Sequence, residues 1–421
     1  MVVLYHRKEI IVMAEIVRTM KLMLHTDAEA DAVFGELTAR YALACNRISE
    51  YIFDNGFILN FMKVQEVMYQ EIRNDFGLKA QMTISAFKTV TARYKTVKEQ
   101  LYSSPYKYKG EDDKWHYITR SLEWLQKPVR FSRPQADLVR GRDYSFSGNQ
   151  DILSLNTLSH RVKVSFERPA CFRDYFDGTW SFGTGKLVSL KGHWYFHIPM
   201  TKKISDSNSD VRPVHVVGID RGLRFITTTY DETGRTTFVN GANVLSRREQ
   251  FIKTRAELQA RGTKSAKRAL KRISGRENRW ISDVNHRISK TLVGAYGEGT
   301  LFVLEDLSGV SFAEQNLNGS KKRNRETRSW TFYQLEQYLS YKAMESGSMV
   351  IKVPAEYTSQ RCPKCGRIHK ENRHHEIHEY ICDSCGYRSN DDRIGAMNLY
   401  ILGTMYVSGD TNPRFGSRRI D

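Results

Sequence analysis

Four of the six cysteines fall in two copies of one short pattern, Cys362-Pro-Lys-Cys365-Gly and Cys382-Asp-Ser-Cys385-Gly. Sixteen residues separate Cys365 from Cys382. A C-x-x-C turn aims two thiolates at one ion. The glycine that follows accepts the unusual backbone that lets amides hydrogen-bond the sulfurs. Two such knuckles predict a closed, tetrahedral, four-thiolate Zn²⁺ site built from Cys362, Cys365, Cys382 and Cys385. With no open coordination position, that zinc is structural and not catalytic. Paired cysteines serve metal rather than disulfides in a reducing compartment. Cys45 and Cys171 stand alone and read as buried thiols. His369, His374, His375 and His378 lie between the knuckles. They could replace a cysteine, but a solvated loop that touches phosphate is the simpler reading.

Charge is the second constraint. Lys and Arg number 65 against 47 Asp and Glu, a formal net charge of +18. That surplus points to a polyanion partner, nucleic acid before an anionic membrane. No run of about 18 apolar residues occurs, which argues against a spanning helix. The opening residues 1–12 carry charges and no small-residue cleavage site, unlike a secretory signal. A soluble, cytoplasmic protein is the expectation. The 421 residues predict two or three domains, and 40% apolar content is enough to bury real cores.

Hydrophobic periodicity organises the rest. Residues 15–25 read as one strand. Thr26 then caps a helical stretch, with Glu29 in its third position. The stretch runs to about Leu101, broken at Asn55-Gly56. From 102 to 120 no period is clear. Tyr102, Tyr106 and Tyr108 alternate there with Lys107 and Lys109, a pattern that suits base stacking and core packing equally. Past Lys127 short alternating strands, with a turn at Lys191-Gly192, predict a small β-barrel that the first strand is placed to join. After a polar linker at 205–210, residues 214–239 predict an antiparallel meander. Residues 246–290 predict a helical pair holding fourteen Lys/Arg against four Asp/Glu, so ten of the eighteen net charges sit there. Arg247, Arg248, Lys264, Lys267, Arg268, Lys271 and Arg272 are its densest cations and predict a phosphate-facing surface. Lys321, Lys322 and Arg323 lie in a polar loop that reads as a lid over a site or as a linker. A strand at 300–304, helix at 330–345, strand at 349–353 and helix at 391–402 follow. Residues 403–421 read as a flexible tail.

Three acids have unusual positions. Asp220 ends one apolar strand, Glu305 ends another, and Asp392 opens the last helix. Any one of them alone reads as a strand-end charge or a helix cap. A meander, a helical excursion, a strand with an acid and a late helix with another is, however, the order of an RNase H-like fold. Converging carboxylates there hold two Mg²⁺ or Mn²⁺ ions, which want oxygen ligands. Asp391 is the neighbouring alternative to Asp392, and Asp306 reads as a supporting residue.

The segments GIDRG (218–222), LEDLSG (304–309), WTFYQLEQYLSYKAMESG (330–347), VPAEYTSQRCPKCG (353–366) and YICDSCGYRSNDDRIGAMNL (380–399) resemble the C-terminal half of TnpB. They resemble equally the miniature type V CRISPR effectors. Residues 21–46 fit the opening of that family. The resemblance implies an RNA-guided DNA nuclease. Its α+β RuvC-like domain would occupy 211–354 and 391–402, with a zinc-ribbon insert at 355–390. It also implies a wedge β-barrel (1–26 and 127–204) split around a helical recognition domain (27–126). The three RuvC acids map onto Asp220, Glu305 and Asp392. The family pattern near the third is close to D-x-N-A-A-x-N, and Ile394 and Gly395 depart from it. Guide RNA and double-stranded target DNA are the implied partners, with one or two copies of the chain per guide left open. A prokaryotic, nucleoid-associated location is implied too. A strand-transfer transposase and a non-catalytic zinc-ribbon regulator are the competing readings.

Overall fold

The computed structural model describes residues 15–147, 151–167, 172, 175–203, 213–307, 332–374 and 376–416. Two compact units divide the chain, Met1–Ile204 and Ser205–Asp421. Among the described residues no helix is long and apolar enough to cross a membrane. Lys321, Lys322 and Arg323, His375, Cys171 and the 205–210 linker lie outside the described residues.

Among the described residues the first unit starts with β1 (Glu15–His25), whose Ile16, Met20, Leu22 and Leu24 are buried. Three helices follow: α1 (Ala28–Asp54), α2 (Phe61–Phe76) and α3 (Ala80–Tyr102). The predicted cap is off by one residue. Asp27, not Thr26, accepts the Ala30 N–H at 2.8 Å, while Thr26 donates its hydroxyl to Asp31. A carboxylate outcompetes a hydroxyl at the positive helix end. Residues 102–120 also have more order than their sequence period predicts. β2 (Tyr106–Lys109) and β3 (Trp115–Ile118) pair as an antiparallel ribbon outside the main sheet.

The remaining strands are β4 (Gln135–Leu138), β5 (Tyr144–Ser147), β6 (Ile152–Asn156), β7 (Arg161–Glu167), β8 (Ser181–Phe182), β9 (Gly185–Leu190) and β10 (His193–Lys203). They build one sheet in the order β4-β9-β10-β1-β7-β6-β5, with β8 on β10. β1 thus sits between two later strands, β10 and β7, and the helices are an excursion from the sheet. Lys191 and Gly192 join β9 to β10 with φ of 56° and 86°, the positive values a two-residue hairpin loop requires.

The second unit centres on a five-stranded sheet. β11 (His215–Asp220), β12 (Phe225–Asp231) and β13 (Thr236–Asn240) form the meander. The basic segment is three helices instead of a pair: α4 (Ala242–Arg261), α5 (Lys264–Ile273) and α6 (Arg276–Tyr296). Breaks at Gly262 and Ser274-Gly275 interrupt a period that otherwise runs through. β14 (Thr300–Asp306) and β15 (Met349–Pro354) then add in parallel, giving the order β13-β12-β11-β14-β15, with α7 (Phe332–Glu345) between them in sequence.

Alternation along the strands divides the core. Val217, Ile219, Phe302 and Leu304 face α6 and α7 through Ile288, Leu292, Leu335 and Leu339. Val216, Leu301 and Val303 face α8 (Asp391–Val407) through Leu399 and Leu402. A fully buried aliphatic side chain is worth about 1.5–3 kcal/mol, so both layers contribute strongly to holding the sheet. Helix α8 runs five residues past its predicted end. Beyond it Phe415 is buried, with the Arg361 guanidinium 4.5 Å from its ring centroid. Pro413 and Phe415 are buried in a stretch, 408–416, that is otherwise exposed, so one aromatic anchors a polar segment.

Gly218 makes the contact between β11 and α8 possible. A Cβ there would lie 2.1 Å from the Ala396 carbonyl oxygen and 2.4 Å from the Tyr400 nitrogen, both backbone atoms that cannot swing aside. Overpacking costs about 1–3 kcal/mol, so Gly218→Ala is expected to lower Tm by roughly 4–10 °C. Differential scanning calorimetry checks this, and an unchanged Tm would contradict the close packing.

Candidate functional site

Strand register brings the first two acids together. Period-2 alternation puts Val216, Gly218 and Asp220 on the α8 face of β11, and Leu301, Val303 and Glu305 on the same face of β14. The parallel register pairs Gly218 with Val303 and Ile219 with Leu304, so Asp220 and Glu305 arrive at one level. Helix α8 crosses this face. Its Gly403 lies against Val216 and Val303, its Ala396 and Tyr400 against Gly218, and its Gly395 against Asp220. Asp392, one turn earlier, therefore comes to the acid end of the sheet. Asn390 caps the helix by accepting the N–H groups of Asp392 and Arg393, both at 3.1 Å.

All three carboxylates are largely buried, at 9%, 8% and 9% exposure for Asp220, Glu305 and Asp392. Burial, then the charges of Glu305 and Asp392, pushes the Asp220 carboxyl well above the usual carboxylate range. Burial also raises Glu305, opposed by the Thr358 hydroxyl and by the charges of Arg221 and Arg373. Asp392 is raised by burial and by Asp391, against Arg373 and His378. Crowded carboxylates that raise one another's pKa form a donor set that a hard divalent cation relieves.

Asp391 has a different environment from Asp392. Its side chain is 2% exposed and accepts from Arg373 Nε at 3.1 Å, with His378 Nδ1 at 3.6 Å from its other oxygen. Arg373 Nη2 also reaches Asp392 at 3.5 Å. The ligand atoms of His378, Asp391 and Asp392 lie within 4.8 Å of one another. Asp392 acts on Asp220 more strongly than Asp391 does.

Three residues outside the predicted set shape the site. Thr358 donates its hydroxyl to Glu305 Oε1 at 2.9 Å. Arg221, with a side chain 1% exposed, donates to the Glu305 carbonyl at 2.6 Å and to Glu336 at 3.1 Å. Arg373 comes from between the cysteine knuckles. Arg221 and Thr358 fall inside the quoted segments GIDRG and VPAEYTSQRCPKCG, with no role assigned to them there, and Arg373 falls in none. Asp306 pairs with Lys352 at 3.8 Å at the edge of this network.

The four cysteines form a second cluster, with Sγ atoms all within 4.8 Å. Cys362 and Cys385 are 3.6 Å apart, and Cys365 and Cys382 are 3.5 Å apart. A tetrahedral ion with bonds of about 2.3 Å needs sulfur separations near 3.8 Å, so the set fits one zinc-sized ion. The two knuckles share one geometry. Gly366 donates to the Cys362 carbonyl at 3.0 Å, and Gly386 to that of Cys382 at 2.9 Å. Both glycines have positive φ, +80° and +69°. The Arg367 N–H pulls the Cys365 thiol down to about 7, whereas burial raises Cys362 and Cys382. β16 (Arg373–His374), β17 (Glu379–Ile381) and β18 (Arg388–Asn390) form a small sheet between the knuckles and α8. Asn398 ties the insert to α8, donating to the Thr358 and Arg361 carbonyls at 2.8 Å each.

Of the predicted phosphate contacts, Lys264, Lys267, Arg268, Lys271 and Arg272 are exposed on α5. Their spacing of three and four confines them to one stripe of that helix, opposite Ala266 and Ile273. Arg247 is exposed and lies 5.8 Å from the Trp280 ring. Arg248 does not belong to that surface. It is buried, 7% exposed, and paired with Glu277 at 3.3 Å.

Residues 332–399 match the family model described as Cas12f1-like, TNB domain, and residues 197–308 match one described as Probable transposase. The chain is 29% identical over 249 residues to the CRISPR-associated endodeoxyribonuclease Cas12f1 of Syntrophomonas palmitatica, covering 55% of this chain and 48% of that one. It is 28% identical over 229 residues to the putative RNA-guided DNA endonuclease InsQ of Escherichia coli, covering 50% and 54%. The chain thus spans about half the length of these relatives. Among solved structures, a Cas12f1–sgRNA–target DNA complex has a TM-score of 0.61 over 89% of this chain and 83% of that one. At 13% identity that likeness is one of fold.

Proposed function

We propose, from the premise that this chain belongs to the family of TnpB proteins and miniature type V CRISPR effectors, that it is an RNA-guided DNA endonuclease. The observation that carries the reading is the meeting of Asp220, Glu305 and Asp392 on one face of the second unit's sheet. The strand order, an antiparallel meander followed by two parallel strands, supports an RNase H-like, RuvC-type domain over 211–354 and 391–402. Residues 355–390 are then its zinc ribbon. Residues 1–26 and 127–204 would then be the wedge barrel, and 27–126 a recognition domain. Cas12f1 in the solved complex is bound to a guide RNA and target DNA, and the same two partners are proposed here.

Asp220, Glu305 and Asp392 would hold two Mg²⁺ or Mn²⁺ ions. When bound, these would supply an activated water and stabilise the leaving oxygen of a phosphodiester. The protein's own part is orientation. Thr358 fixes one oxygen of Glu305, and Arg221 fixes the strand end that carries it. Arg373 engages Asp391 fully and Asp392 at longer range, which leaves Asp392 the freer carboxylate. Cys362, Cys365, Cys382 and Cys385 would hold a Zn²⁺ that fixes the loop carrying Arg373. The stripe on α5 would meet the phosphates of a guide–target duplex, since proteins of this type hold that heteroduplex by its backbone.

RNA dependence tests the reading. Cleavage of matched DNA by the purified chain is expected to vanish after RNase treatment. Cleavage or end-joining that survives RNase would favour the strand-transfer alternative, which the Probable transposase match keeps in view. Charge reversal on α5 gives a second test. Lys264→Glu, Lys267→Glu and Lys271→Glu together are expected to flatten the plot of log affinity for duplex against log salt by about 2–3 units. A parental slope would remove α5 from the interface.

A further inference from the structure

The β2–β3 ribbon has two unlike faces. Direct cross-strand pairing puts Tyr106, Tyr108, His116 and Ile118 on one and Lys107, Lys109, Trp115 and Tyr117 on the other. The first face is exposed too, but its rings are engaged with one another. Tyr106 and Tyr108 stack at 6.3 Å, Tyr108 and His116 at 5.4 Å, and Trp124 lies against Tyr106 at 5.7 Å. The second face is open, with Trp115 62% and Tyr117 56% exposed.

That open face is laid out in two rows. Trp115 and Tyr117, two residues apart on β3, stand about 7 Å apart along the strand. Lys107 and Lys109 run beside them on β2 at the same spacing, with the Lys107 ammonium 5.0 Å from the Tyr117 ring centroid. A row of aromatic faces flanked by a row of cations is what a single strand of nucleic acid needs, one row for bases and one for phosphates. Of the acids at the ribbon's turn, Asp113 pairs with Lys109 and Asp112 with His116 on the other face. An exposed ion pair like the first is weak and yields to phosphate. A two-stranded ribbon with no core of its own is marginal in isolation, so a bound strand would also order it.

We propose that this face docks an unpaired stretch of nucleic acid, with bases on Trp115 and Tyr117 and phosphates along Lys107 and Lys109. The inference rests on the reading above that the chain binds nucleic acid, and it assigns the unpaired strand a place on the first unit.

The test uses the full chain with labelled twelve-nucleotide oligo-dT, oligo-rU and a twelve-base-pair duplex. Trp115→Ala with Tyr117→Ala is expected to weaken single-strand binding at least about fivefold and to leave duplex binding within about twofold. Trp115→Phe with Tyr117→Phe keeps the stacking surface and is expected to restore binding. Lys107→Ala with Lys109→Ala is expected to flatten the single-strand salt slope by about 1.4. A larger loss with oligo-rU assigns the strand as RNA, and with oligo-dT as DNA. Parental single-strand affinity in the alanine variant overturns the proposal. So does a loss that tracks a change in sedimentation mass, which would make the face a contact between copies. Guided cleavage by the parental chain, measured beside this binding, tells a chain that fails to cut guided DNA from one that fails to dock single strands.

Discussion

Glu305→Ala is expected to lower guided DNA cleavage at least about 10³-fold while guide and target affinities stay within twofold, because the metal charge it would hold is worth several kcal/mol in the transition state. Glu305 is buried at the end of a central strand, with one oxygen held by Thr358 and its backbone carbonyl by Arg221. Its removal therefore takes away a carboxylate positioned by the surrounding structure. Fold loss is not the expected cause. Glu305 faces like charges and its pKa is raised by burial, so alanine relieves a destabilising arrangement and Tm is expected to hold or rise. Cleavage of matched DNA at the parental rate by a folded Glu305→Ala chain would sink the assignment.

The second large effect concerns the knuckles. Cys382→Ala is expected to reduce bound zinc from about one equivalent to nearly none and to open residues 355–390 to protease, since structural zinc in small modules contributes about 10–16 kcal/mol of folding free energy. The insert has a small apolar core. Its buried cluster is Cys362, Tyr380 and Cys382 against Ile394 of α8, with Tyr387 packed alongside. Cleavage is expected to fall with it, because the insert carries Arg373 to Asp391 and Asp392, and Thr358 is tied to α8 through Asn398. Elemental analysis and limited proteolysis of the variant check this. Retention of zinc and protease resistance would contradict a four-cysteine site.

Much of the site is legible in sequence because it depends on local rules. An acid that directly follows an apolar run must sit where a strand leaves the core, and Asp220 and Glu305 are marked this way. The repeated C-x-x-C-G spacing encodes a metal-sized gap without any tertiary knowledge. Arg373 and Thr358 carry no such mark. An arginine in a His-rich loop looks solvated until β16 folds back and turns it onto Asp391. Arg248 fails in the opposite sense. It sits in a dense basic run, yet Glu277 lies opposite on α6 and takes it inside. The β2–β3 ribbon alternates tyrosine with lysine, and without an apolar side that alternation is invisible to a hydrophobic period. Phe415 is one aromatic among Gly, Asn, Pro and Arg, so only the finished fold shows that α8 and its neighbours provide a pocket for it. Within the first unit, the order of strand, helices and strands was readable from the switch between periods of 2 and 3.6. Helix ends and breaks were less so, because Gly262 and Gly275 interrupt an otherwise continuous basic pattern.

In a guided nuclease, an RNA chooses where these three acids act. The most direct measurement loads the full chain with either of two guides that differ only in their targeting segment. Each complex then meets one DNA carrying both matching sites, with Mg²⁺ present. The cut is expected to move with the guide, and no cut is expected without RNA. Cleavage at the same place with both guides, or at either site without RNA, would contradict it.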